Sequence, residues 1–417
     1  MIFFYNFFIR LLVASMKIGA VFNYKLKKGL AGRRQSCNRV KENFSSEDRV
    51  IWMHAASLGE YEQGLPVLEK LKKKFPTHKV LITFFSPSGY DQVIKKKSPA
   101  DVVCYLPFDT EEWVQEFTSN FKTEIFFTVK YDYWYHLLQN LRDQGAQIYV
   151  VSALFYETQI FFKAYGKWFV KQLQKNTDWI FHQTAHSTAL AKGIGLKNSS
   201  TSGDTRFDRV RQLRERDLSV EFIDEFTQNE KTIVFGSSWE SEERLAEIIS
   251  VKNKEVKIII APHDLKRVAH LKTIFPTAIL YSNLEVGKPQ TFFNSSILII
   301  DCIGLLSKLY SYADLAVVGG GFHAKGLHNI LEAATFGVPV FFGNQYTKNP
   351  EADALIAYNG GKSFEDEFFA APYLQGILHD EPTLIKMGQN AKKFIDEQPQ
   401  AAELIAERIF LSAQVST

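Results

Sequence analysis

Cysteine is scarce in this chain. Three occur in 417 residues, Cys37, Cys104 and Cys302. They lie far apart and match no metal-ligand spacing, which argues against a disulfide framework or a zinc site and favours a reducing compartment. Net charge is scarce as well: 49 Lys and Arg against 46 Asp and Glu leave +3. That excess is too small to argue for nucleic acid, and no nucleic-acid partner is expected. The Asp-x-Asp pattern of metal-dependent sugar-nucleotide sites does not occur. Nor does an internal repeat or a long low-complexity segment, so a solenoid is not expected.

What is present reads as a globular chain, with 46% hydrophobic and 23% charged residues and length for two or three domains. The first forty residues stand apart. "MIFFYNFFIRLLVASMKIGAVFNYKLKKGLAGRR" is apolar and then basic. Residues 2 to 24 are long enough to span a bilayer, but Arg10 and Lys17 interrupt the run. Seven apart, they share a helix face, with Asn6 close to the same stripe. A polar stripe on a Phe, Leu and Ile surface suits a helix lying in a membrane interface. Lys25, Lys27, Lys28, Arg33 and Arg34 are then placed to meet anionic headgroups. A membrane surface bound through residues 1–34 is therefore the expectation, against a helix packed on the protein's own core.

From residue 50, short Val, Ile and Phe runs alternate with amphipathic stretches. "VIWMHA", "KVLITFF", "VVCYLPF", "EIFFTV", "QIYVVSAL" and "WIFHQ" read as strands buried on both faces. Between the first two, Leu65, Leu68, Leu71 and Phe75 form an inward stripe, with Lys72, Lys73 and Lys74 on a solvated face. The alternation pauses over the polar stretch 196–226 and restarts with "TIVFGSS", "VKIIIAPH", "AILYS", "SILIID", "LAVVGGG" and "VPVFFG". Steady strand–helix alternation means parallel sheets with helices on both faces. The fold expected is α/β, with two doubly wound Rossmann-like domains facing an interdomain cleft. The boundaries are 1–40 for the membrane segment, 41–208 for the first domain and 209–417 for the second.

Ligands of such domains bind at the carboxyl ends of strands. There, "HAASLGEYEQGL" places Glu60 where a helix begins, as a catalytic base or an ordinary first-turn acid. "FFTVKYDYWYHLL" places Lys130 and Asp132 on the same rim, with aromatics that line a sugar site or belong to the core. Arg206, in "SGDTRFDRV", clamps an anion or pairs with Asp204 or Asp208. In the second half, Gly319, Gly320 and Gly321 precede a helix expected from His328–Asn329. That pattern suits phosphate at a helix start, with Glu332 accepting from a ribose diol, or else a tight turn with Glu332 offsetting the helix dipole. Pro262 and His263 end another strand. Ser238 and Asp264 read best as helix caps.

Taken in order, these segments resemble the transferases of Kdo, 3-deoxy-D-manno-oct-2-ulosonic acid, from lipopolysaccharide assembly. "WMHAASLGEYEQGLPVLEKL" resembles their strand–turn–helix with the catalytic glutamate, and "SPSGYD" their next loop. "KYDYWYHLL" resembles "ETELWPNLL", "GDTRFD" resembles "GNLKFD", and "APHDLKR" resembles "PRHPERF". "GGGFHAKGLHNILEAATFGVPVFFG" resembles their glycine-rich loop and nucleotide helix. Three departures stand out. Lys130 replaces the first acid of the family's acidic segment, Arg206 replaces a lysine, and His263 replaces an arginine. Lys130 either supplies the cation missing at His263 or binds the Kdo carboxylate.

The resemblance implies a GT-B glycosyltransferase that transfers Kdo from CMP-Kdo to the lipid A precursor with inversion, with neither metal nor cofactor. It acts at the cytoplasmic face of the bacterial inner membrane. Glu60 would be the general base. Lys130 or Asp132, with Arg206, would stabilise the transition state. Pro262, His263, Ile303, Gly304, Leu305, Asn329, Ile330, Leu331 and Glu332 would hold CMP; the triplet at 303 enters only through the resemblance. The competing readings are another membrane-associated GT-B transferase or epimerase, and an inactive CMP-binding protein.

Overall fold

The structure, a computed structural model, describes residues 1–95, 98–228, 230–284, 295–324, 326–347 and 349–415. The chain divides into two compact units, Met1–Arg209 with the segment from Pro399 onward, and Val210–Gln398.

The first unit carries β1 (Arg49–Ala55), β2 (Lys79–Phe84), β3 (Val102–Tyr105), β4 (Lys122–Val129), β5 (Gln147–Ala153), β6 (Trp179–His182) and β7 (Ser199–Thr201). They form one sheet in the order β3-β2-β1-β4-β5-β6-β7, with every pairing parallel. Both faces are covered, which is why the strands are continuously apolar. Val50 and Trp52 of β1 join the core on one face, with Phe126, Ile148 and Val150. Ile51 and Met53 join the other, with Ile125, Phe127, Tyr149 and Val151. Helix α3 (Leu58–Lys74) covers this second face with Leu65, Leu68 and Leu71.

The last helix, Ala401–Val415, belongs to the first unit, and this corrects the assignment of all of 209–417 to the second. Ala402, Ile405, Ala406 and Ile409 recur at helical spacing and are fully buried in the α3 core. Glu403 pairs with Lys70, and Glu407 with Lys74. One lysine of the supposedly solvated run thus holds the chain terminus.

The second unit carries β8 (Thr232–Ser238), β9 (Lys257–Pro262), β10 (Ile279–Leu280), β11 (Ile297–Ile299), β12 (Leu315–Val318), β13 (Val340–Gly343) and β14 (Gly361–Phe364). The order is β10-β11-β9-β8-β12-β13-β14, again parallel throughout. β7 and β14 are edge strands that the sequence reading missed. Lying at sheet margins, "SST" and "GKSF" need no apolar run.

At the amino end, α1 (Ile2–Gly19) and α2 (Tyr24–Asn43) precede β1. α1 meets the body through Tyr5, Asn6 and Ile9: Tyr5 donates to Asp109, and Asn6 Oδ1 lies 2.6 Å from His136 Nε2. Asn6 and Arg10 share a face as expected, and both line a small pocket with Asp109 and His136. Phe3, Phe4, Phe7, Phe8, Leu11 and Ile18 are exposed, and α1 is long and apolar enough to cross a membrane. Two of the five basic residues expected to meet headgroups are engaged elsewhere. Arg33 is buried, with its guanidinium 4.5 Å from the Phe85 ring centre and 4.8 Å from that of Phe108. Lys28 pairs with Asp91 at 2.8 Å.

Candidate active site

The connections change direction between β1 and β4 in the first sheet and between β8 and β12 in the second. Connections diverge at such a switch point and leave a crevice at the carboxyl ends of the strands. Both groups of candidate residues stand at these two places.

In the first unit, β1 runs through Ala55 into α3, whose first turn carries Glu60. Ser57 caps α3, and Glu60 Oε2 accepts from the Ala56 and Ser57 N–H groups at 2.6 and 3.1 Å, closing a capping box. Both bonds use one oxygen. Oε1 carries none among the described residues, so capping leaves one carboxylate oxygen unused. The carboxyl pKa is pushed up, first by burial and then by the charge of Asp132; the Ala56 N–H, Lys130 and His54 oppose the shift.

β4 ends at Val129 and delivers Lys130 and Asp132 beside Glu60. Lys130 takes a left-handed backbone (φ 64°), while its N–H donates to Val151 of β5 at 2.9 Å. A non-glycine residue there costs about 1–3 kcal/mol, a cost borne to turn the loop over the strand ends. Asp132 lies 3.2 Å from His54 Nε2, and His54 Nδ1 lies 2.9 Å from Thr83 Oγ1. His54 is fully buried in β1, so the chain Thr83–His54–Asp132 fixes one carboxylate against the sheet. Tyr131 lies between the two charged residues. Its phenol is pushed up to about 12 by burial, with smaller contributions from Tyr156 and Glu60.

Arg206 sits in the helix Thr205–Leu213, whose first residue meets Ser152 of β5 through paired hydroxyls at 2.8 Å. That puts Arg206 on the same carboxyl rim. Its guanidinium is engaged by Asp204, with Nε at 2.8 Å and Nη2 at 2.6 Å. The ion-pair reading is therefore realised, although the rim position suits anion contact too.

In the second unit, β8 ends in Ser237 (φ 52°) and Ser238, and β9 ends at Pro262, with His263 next. The Trp239, His263 and His328 rings form a stack, with centroids 4.5 Å apart for the first pair and 4.6 Å for the second; His323 meets Trp239 edge-on. Burial and the neighbouring His263 and His323 push the His328 imidazole down to about 4, so it stays neutral at neutral pH. Glu242 accepts from the Trp239 and Gly320 N–H groups at 2.9 and 3.0 Å, and burial pushes its carboxyl up to about 7. Trp239, Glu242 and His323 were not selected from sequence. "SSWESEE" and "GGGFHAKG" carry them, but only the sheet order brings those loops together.

The glycine triplet follows the less chemical reading. A Cβ at Gly319 would lie 2.1 Å from the Ser237 carbonyl oxygen, and one at Gly321 would strike the Gly343 backbone. Gly320 turns at φ 92°. These glycines let strand ends and loops pack. The helix expected from His328–Asn329 is also much shorter, Leu331–Ala334. The Asn329 side chain already accepts from the Leu331 N–H at 3.2 Å and donates to Glu332 at 3.0 Å. Four residues have little macrodipole, so this start is a poor phosphate site by itself. Glu332 does fall in the first turn, and its charge reaches buried Tyr310. Ile303 is largely exposed, Gly304 turns at φ 103° with open space around its Cβ position, and Leu305 precedes the short helix Leu306–Leu309. Asp264 caps the next turn as expected, but Ser238 does not cap. Its buried hydroxyl has no partner among the described residues, and Glu242 caps the helix after β8 instead. Arg267 is locked onto buried Glu243. Among the described residues, no group of three or more His, Cys, Asp or Glu could hold a metal ion.

Comparison with known proteins agrees with this architecture. The model of the 3-deoxy-D-manno-octulosonic-acid transferase (kdotransferase) family matches residues 31–209, the range that carries Glu60, Lys130, Asp132 and Arg206. The 3-deoxy-D-manno-octulosonic acid transferase of Aquifex aeolicus is 28% identical over 307 residues, 73% of this chain and 78% of that one. Its Chlamydia trachomatis counterpart is 27% identical over 84% of this chain and 83% of its own. A bifunctional glycosyltransferase/methyltransferase of Fusobacterium nucleatum is 25% identical over 75% of this chain, which spans half the length of that relative. Among solved structures, the UDP-GlcNAc 2-epimerase of Neisseria meningitidis superposes with a TM-score of 0.58 at 16% identity, covering 88% of this chain and all of that one. The wall teichoic acid polymerase TagF gives 0.50 at 12%, covering 97% of this chain and 98% of that one. These two show the shared GT-B fold of paired parallel-sheet domains. With that fold and those relatives, the chain is similar to the 3-deoxy-D-manno-octulosonic-acid (Kdo) transferases, by the family model over residues 31–209 and by curated members aligned over 73% and 84% of the chain.

Proposed function

We propose that this chain transfers Kdo from CMP-Kdo to a hydroxyl of the lipid A precursor, with inversion and without a metal, using Glu60 as general base. One observation carries the reading. Glu60 stands at the β1/β4 switch point with a raised carboxyl pKa and one oxygen left over from capping.

The chemistry follows from the groups present. Glu60 Oε1 takes the proton of the acceptor hydroxyl as its oxygen attacks the anomeric carbon. The bond from that carbon to the phosphate oxygen breaks with its electron pair, and CMP departs as the anion. Positive charge grows on the sugar during this step. Asp132, steadied by His54, raises the proton affinity of Glu60 and faces the developing cation. Lys130 and Arg206 meet the carboxylate and phosphate charges. In the second unit the Trp239–His263–His328 stack offers a face for cytosine, Glu332 accepts from the ribose, and the turns at Pro262 and at Ile303, Gly304 and Leu305 flank the nucleotide. The exposed apolar side of α1 favours a helix lying on the membrane, because its opposite side is bonded to the body through Tyr5 and Asn6. We place that surface at the cytoplasmic face of the inner membrane, where Lys25, Lys27 and Arg34 are exposed to headgroups.

The test is incubation with CMP-Kdo and lipid A precursor, with product masses read out. A mass gain of one or more Kdo units supports the proposal, and unchanged acceptor refutes it. Thermal protection by CMP but not UDP separates this reading from a UDP-sugar epimerase.

A further inference from the structure

A cavity of about 200 Å³ lies in the first unit beside the Glu60 cluster. Its lining is mostly apolar, with Tyr131, Tyr135, Phe161, Trp168 and Leu173 among it, and Gln172 and Asn176 contribute amides. Two connections define its place. Tyr131, which lines one end, is the residue between Lys130 and Asp132, and its phenol feels the charge of Glu60. At the other end, the Tyr135 and Trp168 rings pack on Tyr5 of α1, with centroids 5.6 and 5.9 Å away. The cavity therefore lies between the loop that carries Lys130 and Asp132 and the root of the exposed apolar helix.

Asn176 sets this cavity apart from a packing defect. It is fully buried, and neither Nδ2 nor Oδ1 has a hydrogen-bond partner among the described residues. A buried amide left without partners is costly, and such groups in native proteins are normally satisfied. An unbranched hydrocarbon would leave it unsatisfied. A chain that carries an amide or hydroxyl near its root would fill the apolar volume and complete the amide.

We propose that the cavity lined by Tyr131, Phe161, Trp168 and Asn176 is the subsite for one acyl chain of the acceptor, anchored by a polar group of that chain on Asn176. This rests on the lipid-acceptor reading above and adds where the lipid is gripped. The volume displaces about six or seven waters at roughly 30 Å³ each, enough for the first part of a chain but not all of it. The rest continues toward α1, where Phe7, Phe8 and Leu11 are exposed. The acceptor is thereby held by its apolar end while its sugar hydroxyl reaches Glu60.

Asn176→Leu removes the amide at nearly constant volume and relieves an unsatisfied group, so the variant should fold with an unchanged or raised Tm. It should raise KM for the acylated acceptor about tenfold, leaving kcat, donor KM and KM for the deacylated disaccharide unchanged. Ile160→Asp, at a half-exposed position on the rim, should do the same without touching the core. A second readout does not depend on Kdo transfer. A dibrominated stearic acid should quench the wild-type protein, and the quenching should be lost in Trp168→Phe and weakened in Ile160→Asp. Equal KM changes for acylated and deacylated acceptors would overturn the subsite, as would quenching indifferent to both substitutions. If wild type transfers no Kdo yet quenching follows the pattern above, the functional reading fails and the acyl site stands.

Discussion

Glu60→Gln separates the structural and chemical duties of one side chain. Glutamine at this position keeps the capping box, because its amide oxygen accepts from the Ala56 and Ser57 N–H groups as Oε2 does. The lost charge–dipole attraction at the start of α3 is worth about 0.3–1 kcal/mol, and relief of repulsion from Asp132 offsets part of it. Tm should therefore move by only a few degrees, and CMP affinity, read by calorimetry, should not change. Catalysis should suffer far more. On the proposed mechanism the amide NH₂ would stand where Oε1 accepts the proton. Losing a general base costs about 10²–10⁴-fold in rate, or roughly 3–5 kcal/mol at 1.36 kcal/mol per tenfold. The pH profile supplies a second check. As the proposed base Glu60 acts ionised, so wild-type kcat/KM should fall as pH drops through its raised pKa. Asp132→Asn removes the like charge that helps to raise it, so the same limb should move to lower pH. A Gln variant within threefold of the wild-type rate would refute the base assignment, as would a limb unmoved by Asp132→Asn.

Trp239→Ala should weaken CMP binding about tenfold or more, since stacking on a base is worth about 1–3 kcal/mol, and Trp239→Phe should restore most of it in the same titration. Glu242 has a folded-state pKa raised from 4.5 to about 7, so the native state binds its proton more tightly than the unfolded chain does. Its contribution to stability is complete below pH 4.5 and is lost as pH rises through 7; Glu242→Gln should flatten that decline in melts run between pH 5 and 8. Phe7→Ser with Phe8→Ser alters two exposed rings of α1. It should abolish flotation with anionic vesicles, because burying each phenylalanine is worth about 1.5–3 kcal/mol, while Tm stays unchanged.

Three of the four candidate residues of the first unit were legible because each follows an apolar run; Arg206 follows the polar edge strand β7. Glu60, Lys130 and Asp132 stand directly after β1 and β4, and a strand end is visible in the sequence wherever Val, Ile and Phe stop. The aromatic stack of the second unit was less legible. His263 was marked, but Trp239 and His323 sit in loops after different strands, and no local signal says that β8 and β12 are neighbours. The glycine triplet was ambiguous because glycine serves close backbone packing as readily as ligand approach, and the packing shows only in the Gly319–Ser237 and Gly321–Gly343 contacts. Arg33 misled for a related reason. A basic residue in a basic helix reads as solvated until Phe85 and Phe108 are found around it.

The sequence by itself determined the elements: where strands buried on both faces run, where helices cover them, and that one amino-terminal helix carries an apolar surface. These follow from periodicity, which is local. Tertiary structure alone decided which strand ends lie side by side, which core the last helix joins, and which way Asn6 and Asn176 face. Those outcomes depend on strand order and on packing between residues distant in the chain, and a parallel sheet can be threaded in several orders by the same alternating pattern.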